Sequence, residues 1–366
     1  MIFSLEALNA QQGDCFLLHF GTAKQPRMIV IDGGPQGVFD ASLKPKLDEI
    51  RKQRGIKAGA ALPTDLLMVS HIDDDHIHGI LDWFTAMTAS PGAWKIRECW
   101  FNSFEDVVQH APKIRAAALK TAEDPAAMRS TGPAAFDPIV ARSVSQGRGL
   151  RDDLKQQKIR MNDGKTLLFA PSSTPHFEKA GVKLTLVAPN KQAVDRLQKT
   201  WEITPARALA LDNAIENLSS LVVMAECGAR RILLTGDARG DYILDGLKGA
   251  GYLKNGSCKV DILKLPHHGS SRNCTQELFE QVPAAHYVIS ANGMYDNPDA
   301  DTLCLMAKVL GENGNFTLHL TNAPDAKAKT SQGKSLYANV QKALTQYPWL
   351  AKKMAYGPTR IDLLDM

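Results

Sequence analysis

No stretch of this chain stays apolar for the roughly 18 residues that a membrane-spanning helix requires, so no membrane association is expected. The opening "MIFSLEALNAQQGD" lacks a basic segment, a long apolar run and a small-residue cleavage site, which excludes a secretory leader of the usual kind. The six cysteines (Cys15, Cys99, Cys227, Cys258, Cys274, Cys304) include no C-x-x-C pair. In a chain of this length they read as reduced thiols of a cytoplasmic protein. Charge of one sign is also missing in bulk: 43 Lys and Arg against 39 Asp and Glu leave a net +4, too little to assign a polyanionic partner by itself. There is no repeat of fixed period and no low-complexity tract, so solenoid and disordered classes fall away. What is present is ordinary: 366 residues, 44% hydrophobic, enough for a sizeable core.

The apolar runs are short and bounded by turn residues. "CFLLHF" and "RMIVIDGG" read as two strands of a hairpin around "GTAKQP". "ASLKPKLDEIRKQRG" has helical spacing with a glycine to end it, and "TDLLMVS" is an apolar strand buried on both faces. Helical spacing resumes in "HGILDWFTAMTA", which puts the residues between on a strand-to-helix loop. From about 103 to 165 the texture is Ala-rich, basic and helical. Strands return with "KTLLFAP", "VKLTLVAP", "SSLVVMAEC", "RRILLTGD" and "VDILKLP", then "HYVISAN", a helix around "ADTLCLMAKVLGENG", and "NFTLHLTN". Two halves that each run through strands into a helix fit one α/β sandwich better than two domains.

The loop between "TDLLMVS" and the next helix carries "SHIDDDHIHGI", three aspartates and three histidines within eight positions. Carboxylates that close repel one another unless a divalent cation sits among them and reverses the local electrostatics. One aspartate at a helix start is ordinarily a cap. His-x-Asp-x-Asp-His at the exit of a buried strand is a ligand pattern instead, able to aim two pairs at two points. Other strands end in matching chemistry: Asp32 after "MIVI", Asp237 after "RILLTG", His267 and His268 after "DILKLP". All can converge on one sheet edge, where α/β proteins carry their sites.

With "QQGDCFLLHF", "IVIDGG", "SHIDDDHIHGI", "NLSSLVVMAECGARRILLTGD" and "DILKLPHHGSSRN" in this order over residues 11 to 273, the sequence resembles the metallo-β-lactamase fold. Within it, the resemblance is to the hydrolase domain of the ComEC competence proteins. It implies a four-layer αββα sandwich, here expected over 1–322; the helical insertion at about 103–165 and the basic extension, 323–366, expected to pack on or flank the sandwich, lie outside the resemblance. It also implies two divalent ions, zinc or manganese. His71 and Asp73 would hold one; Asp75, His76 and a histidine of the "HHG" pair would hold the other; Asp237 would bridge. His268 is the favoured ligand and His267 the favoured leaving-group contact, although their adjacency leaves the two exchangeable. Asp75, Asp237 and His267 would carry the reaction, while Asp32, Asn217, Ser270 and Asn297 would neighbour the metals or the substrate.

The chain departs from the family at three places. Asp73 stands where the wider superfamily has histidine, as in the ComEC-like branch. No histidine marks the third motif between 180 and 220, where Asn217 is a neutral candidate, and Asn297 replaces a late histidine. His78 takes a position usually given to glycine and is expected to point at solvent. His19, His110, His176, His286 and His319 have no partners by spacing and are expected to be structural.

A metal pair activates water near neutral pH and clamps a scissile group as charge develops, which suits phosphodiesters. The aspartate in place of histidine hardens one site and tilts it towards manganese. Residues 107 to 165 carry eleven Lys or Arg against six Asp or Glu, and 326 to 360 carry seven basic residues and no acidic one. Such surfaces beside a phosphodiester centre favour a nucleic-acid backbone, without sequence preference. The expectation is therefore a metal-dependent nuclease or phosphodiesterase acting on DNA or RNA. A small-molecule hydrolase (lactonase or phosphorylcholine esterase-like) and a catalytically degenerate metal-binding module are the alternatives.

Overall fold

The computed structural model describes residues 1–103, 138–165, 167–170, 176–190 and 220–364. Residues 104–137 of the insertion, and Asn217, lie outside them.

Alternation along the strands decides the layering. In β1 (Ile2–Ala7), β2 (Phe16–Thr22), β3 (Gln25–Ile31) and β5 (Leu66–Met68), one set of side chains enters a shared inner core: Phe3, Leu5, Phe16, Leu18, Phe20, Ile29, Ile31, Leu66 and Met68. The intervening Leu17, Met28, Val30 and Leu67 point the other way, onto helices α1 (Lys44–Gln53) and α2 (Asp74–Ala89). A second set of strands repeats the pattern: β10 (Val182–Ala188), β11 (Val222–Cys227), β12 (Arg230–Leu234), β13 (Val260–Lys264) and β14 (Ala284–Ile289). Leu184, Val223, Ile232, Ile262 and Val288 join the inner core, whereas Met224, Leu233, Leu263 and Tyr287 face the outer helices. A period of two with both faces apolar means each sheet is covered on both sides. The result is helices, sheet, sheet, helices: the αββα sandwich.

The first sheet has the order β17-β1-β2-β3-β5-β7-β8, with β7 (Glu98–Trp100), β8 (Arg160–Met161) and β17 (Thr359–Asp362). The second runs β16-β15-β14-β13-β12-β11-β10-β9, with β9 (Phe177–Lys179), β15 (Thr317–Leu320) and β16 (Met354–Tyr356). A two-stranded ribbon, β4 (Leu62–Thr64) with β6 (Trp94–Ile96), stands apart. The hairpin read around "GTAKQP" is β2–β3, antiparallel from Phe16↔Ile31 to Thr22↔Gln25. "KTLLFAP", expected as a strand, contributes a single bridge, Ala170 to Asn190.

Direction is what assembles the site. Strands β3 and β5 are parallel, and so are β12, β13 and β14, so their C-terminal ends open at a common edge of each sheet. At that edge the sheets are tied together by Leu221 N–H to the Ser70 carbonyl (2.8 Å) and by Ser290 Oγ–H to the Gly13 carbonyl (2.5 Å).

Residues after 322, expected to pack on or flank the sandwich, contribute one helix and two edge strands to it. Helix α7 (Ser331–Gln346) packs on the outer face of the second sheet through Leu336, Val340 and Ala343. Strand β16 then borders that sheet, and β17 crosses to the first sheet to pair with β1. The described part of the insertion holds helix α3 (Pro138–Gln156), whose Leu150 and Leu154 enter the outer core of the first sheet beside α2, and ends in the edge strand β8. Helices α4 (Gly240–Gly249), α5 (Gln276–Gln281) and α6 (Ala300–Leu310) share the other outer layer with α7. Among the described residues no helix is long and apolar enough to cross a membrane.

Candidate metal centre

The acidic cluster straddles two elements. His71 and Asp73 occupy the loop after β5; Asp74, Asp75 and His76 form the first turn of α2, with Asp73 in extended backbone before it. That turn is pinned by close backbone contact. Gly33 N–H bonds the His76 carbonyl (2.8 Å) and Gly79 N–H bonds Gly34 O (2.9 Å). A Cβ on Gly79 would lie 2.0 Å from the Gly33 carbonyl oxygen, so only glycine lets the helix come this close to the Asp32 loop. Gly13 plays the same part on the other side, where a Cβ would lie 1.7 Å from the Asp75 carbonyl oxygen.

The histidine ring nitrogens sort themselves by partner. His76 Nδ1 donates to Asp32 Oδ2 at 2.9 Å, and Asp32 is itself fixed by Ser70 N–H and Oγ–H, both at 2.7 Å. His268 Nδ1 donates to the Ser290 carbonyl at 2.9 Å. A ring whose Nδ1 carries the hydrogen presents a lone pair at Nε2, the tautomer a metal requires. Those two Nε2 atoms face each other at 3.2 Å. Two lone pairs held so close repel unless a cation or a proton lies between them. Two imidazoles on one tetrahedral cation stand about 3.3 Å apart, nitrogen to nitrogen, so the spacing fits a shared ion.

Carboxylates complete the set. Asp237 Oδ1 lies 3.4 Å from His76 Nε2, and its Oδ2 lies 3.5 Å from His268 Nε2 and 3.7 Å from His71 Nε2. Asp75 reaches His268 Nε2 at 3.4 Å and His76 Nε2 at 3.9 Å. His71 Nε2 is 3.6 Å from Asp73 Oδ2. Among the described residues, donor atoms gather within 4.8 Å of one another in two groups, the buried Asp14–His76–Asp237–His268 and His71–Asp75–His76, in which Asp75 is half-buried. Asp237 Oδ1 and His71 Nε2 are buried without a hydrogen-bond partner, as atoms reserved for a cation would be.

The electrostatics follow. Burial alone would raise the Asp237 carboxyl, yet the imidazoles of His268, His76, His267 and His71 hold it well below the usual carboxylate range. Burial works against charge on His76 and His268 too. Asp237 leads the carboxylates that nevertheless push both well above their ordinary value, with Asp32 and Asp75 acting on His76 and Asp14 on His268. A proton thus takes the place that a metal would fill. Raised histidines stabilise the metal-free fold fully below their unfolded value of about 6.5, and that contribution is lost as pH climbs through the raised values. Chelator-stripped protein should therefore melt progressively lower as pH rises above about 6.5, while metal-loaded protein should not. Calorimetric scans across a pH series check this, and a melting point of stripped protein that climbs with pH would refute it.

The two adjacent histidines take different places. Both adopt left-handed backbone, φ 48° for His267 and 54° for His268, a strained pair of the kind found at functional turns. His268 is buried and belongs to the four-donor group; His267 does not. Its Nδ1 lies 3.2 Å from Asn273 Oδ1 and its Nε2 3.7 Å from Asp237, with 29% of the side chain exposed at the rim. Ser270 is part of this turn, its N–H bonding the His267 carbonyl (2.9 Å). Asn297 lies beyond it, its backbone bonded to Met294 and Gly293, just ahead of Asp299, which accepts from Ser271 N–H at 2.7 Å. Helix α7 braces that segment through Ser335 and Asn339 on Asp296.

Asp74, between two candidate ligands, turns away from them. It accepts from His78 Nδ1 (2.7 Å), Gln146 Nε2 (2.6 Å) and Arg142 (2.9 Å), docking α3 on α2. His78 was expected to point at solvent; it serves this contact. His19 pairs with Glu6 at 2.8 Å and His286 with His319 at 3.1 Å, so neither is without a partner, while His110 lies outside the described residues. Of the basic residues in the insertion, Arg151 is tied to Ser103 Oγ (2.5 Å), whereas Lys155 and Lys158 are exposed.

Sequence reasoning missed two residues. Asp14 and Lys264, each 1% exposed, form an ion pair beneath the centre. The available signal was a lysine inside an apolar strand, "DILKLP", since lysine is almost never fully buried without a partner.

No model of a known family matches the chain, and no curated protein matches it. Solved structures similar to it include a diphosphatase from the PhnP family, 12% identical, covering 79% of this chain and 86% of its own with a TM-score of 0.35. Another is Zn²⁺-bound PqqB from Methylobacterium extorquens, 11% identical, covering 98% of this chain and 100% of its own with a TM-score of 0.36.

Proposed function

We propose that the chain is a metal-dependent hydrolase, with Asp75, His76, His268 and Asp237 holding one divalent ion and His71, Asp73 and Asp237 a second. The observation that carries this is the pair of Nε2 lone pairs held 3.2 Å apart against a buried carboxylate. When bound, the ions, zinc or manganese, supply Lewis acidity and lower the pKa of water. The residues do the rest. Asp32 and the Ser290 carbonyl hold the two imidazoles in the tautomer that offers Nε2. Asp237, at the meeting point of four rings, keeps its charge and orients what binds beside it. His267, half-buried with Nδ1 donating to Asn273, turns Nε2 towards the rim, where it would take a proton from the attacking water and pass it to the departing oxygen.

The substrate proposed is a nucleic-acid phosphodiester, as in the ComEC-like branch. Two Lewis acids match a group whose attacked and departing oxygens both carry charge. The exposed Lys155, Lys158, Lys327, Lys329 and Lys334 would offer phosphate contacts to a long polyanion without base readout. Purified protein with Mn²⁺ or Zn²⁺ should cleave labelled DNA or RNA. Binding should weaken with salt at a logarithmic slope of about −0.7 to −0.9 per phosphate contact. Reversing Lys155, Lys158 and Lys334 to glutamate should raise KM for a long oligonucleotide and leave a small chromogenic phosphodiester unaffected. Turnover of lactones or phosphorylcholine esters with no cleavage of any nucleic acid would establish the small-molecule reading instead.

A further inference from the structure

We infer that Lys264 is a positioning residue of the metal centre, a built-in cation that fixes the Asp237 carboxylate, with Asp14 as its counter-ion. The inference rests on the metal-dependent reading above.

Lys264 ends β13, three residues before His267, and its ammonium has three partners. One is Asp14 Oδ2, in direct contact. A second is the Gly236 carbonyl at 2.9 Å, the residue before Asp237. The third is Asp237 Oδ1 at 3.6 Å. Asp14 and the Gly236 carbonyl accept its hydrogen bonds, while Asp237 Oδ1 faces it as an ion-pair contact beyond hydrogen-bond distance, so the ammonium engages the Asp237 turn by backbone and by charge. The same turn is held by Ser220 Oγ on Asp237 N–H (3.1 Å) and by Asn273 Nδ2 on its carbonyl (2.9 Å).

Stability does not account for the pair. Well-packed apolar residues in place of a buried ion pair are often neutral or stabilising. Nor does Asp14 read as a ligand of the same ion. It approaches His76 and His268 from their Nδ1 sides, at 3.9 and 3.4 Å, opposite the Nε2 side where Asp75 and Asp237 gather. Without Lys264, Asp14 would be a loose anion behind the ligands and Asp237 would lose the contact that orients Oδ1.

The test separates charge balance from positioning. Lys264→Met alone leaves Asp14 uncompensated and should unfold more easily. The double variant Asp14→Asn/Lys264→Met removes both charges and should regain the wild-type melting point. Positioning predicts that it still binds Mn²⁺ at least tenfold more weakly by calorimetry. Its kcat on a chromogenic phosphodiester should fall roughly 10- to 100-fold, as for other residues that orient ligands, with KM little changed. Lys264→Gln, which keeps a donor for Gly236 and loses the charge, should show the same loss in a milder form. Wild-type Mn²⁺ affinity in whichever of these two variants folds would overturn the inference. Failure of the wild-type protein to bind any divalent ion would instead overturn the reading on which it rests.

Discussion

Asp237→Ala should abolish hydrolysis and strip metal from the protein, with Asp75→Ala close behind. Among the described residues, Asp237 is the one carboxylate within 3.8 Å of His71, His76, His267 and His268 alike, through contacts of 3.7, 3.4, 3.7 and 3.5 Å. Its removal leaves four imidazoles facing each other with nothing to neutralise either a proton or an ion between them. Loss of Lewis-acid stabilisation worth several kcal/mol corresponds to roughly 10³-fold or more in kcat/KM. The informative control is Asp74→Ala, in the same acidic run. Asp74 is committed to His78, Arg142 and Gln146, so that variant should keep its metal and loosen α3 instead. Elemental analysis distinguishes them: full metal retention in Asp237→Ala and Asp75→Ala would end the ligand assignment, as would metal loss confined to Asp74→Ala.

The second large effect divides neighbours. His268→Ala should cost most of the metal, because it deletes one of the two facing Nε2 atoms. His267→Ala should leave metal content intact and reduce turnover by roughly 10²- to 10⁴-fold, the usual span for a positioned proton donor. The pH profile of kcat should then lose one limb in His267→Ala. Equal metal loss in the two variants would show that the "PHHGSS" turn presents both rings to the ion.

Much of this candidate site was legible because several of its residues close strands. Asp32, His71, Asp237 and His268 all follow apolar runs, and parallel pairing carries strand ends to one edge. What could not be read is what depends on angle. Asp73, Asp74 and Asp75 are equivalent as letters, yet the first turn of α2 aims 75 inward and turns 74 towards α3. Asp14 follows a turn that looks like any other, and its burial comes from Gly13 pressing on the Asp75 backbone across the edge. Lys264 did carry a signal, a charge in a buried strand, but its partners lie 250 and 27 residues away in the chain. The C-terminal residues were harder. "MAYGPTRID" has too few apolar positions to announce strands, because each is an edge strand with one covered side.

Those edge strands bear on how the chain reaches its structure. Strand β16 closes one side of the second sheet, and after Gly357 and Pro358 the next strand, β17, closes one side of the first. A single segment of nine residues, 354–362, therefore fastens both halves of the sandwich at once. Its partner in the first sheet is β1, with Ser4 opposite Asp362. Strand β1 leaves the ribosome long before residues 359–362, so its outer edge stays uncovered while the intervening chain is made. Closing so long a loop is slow, and the waiting edge is open to pairing with another molecule in the meantime. Every candidate ligand of the acid-rich centre precedes this segment in the chain, so sealing the fold falls to residues outside the donor set.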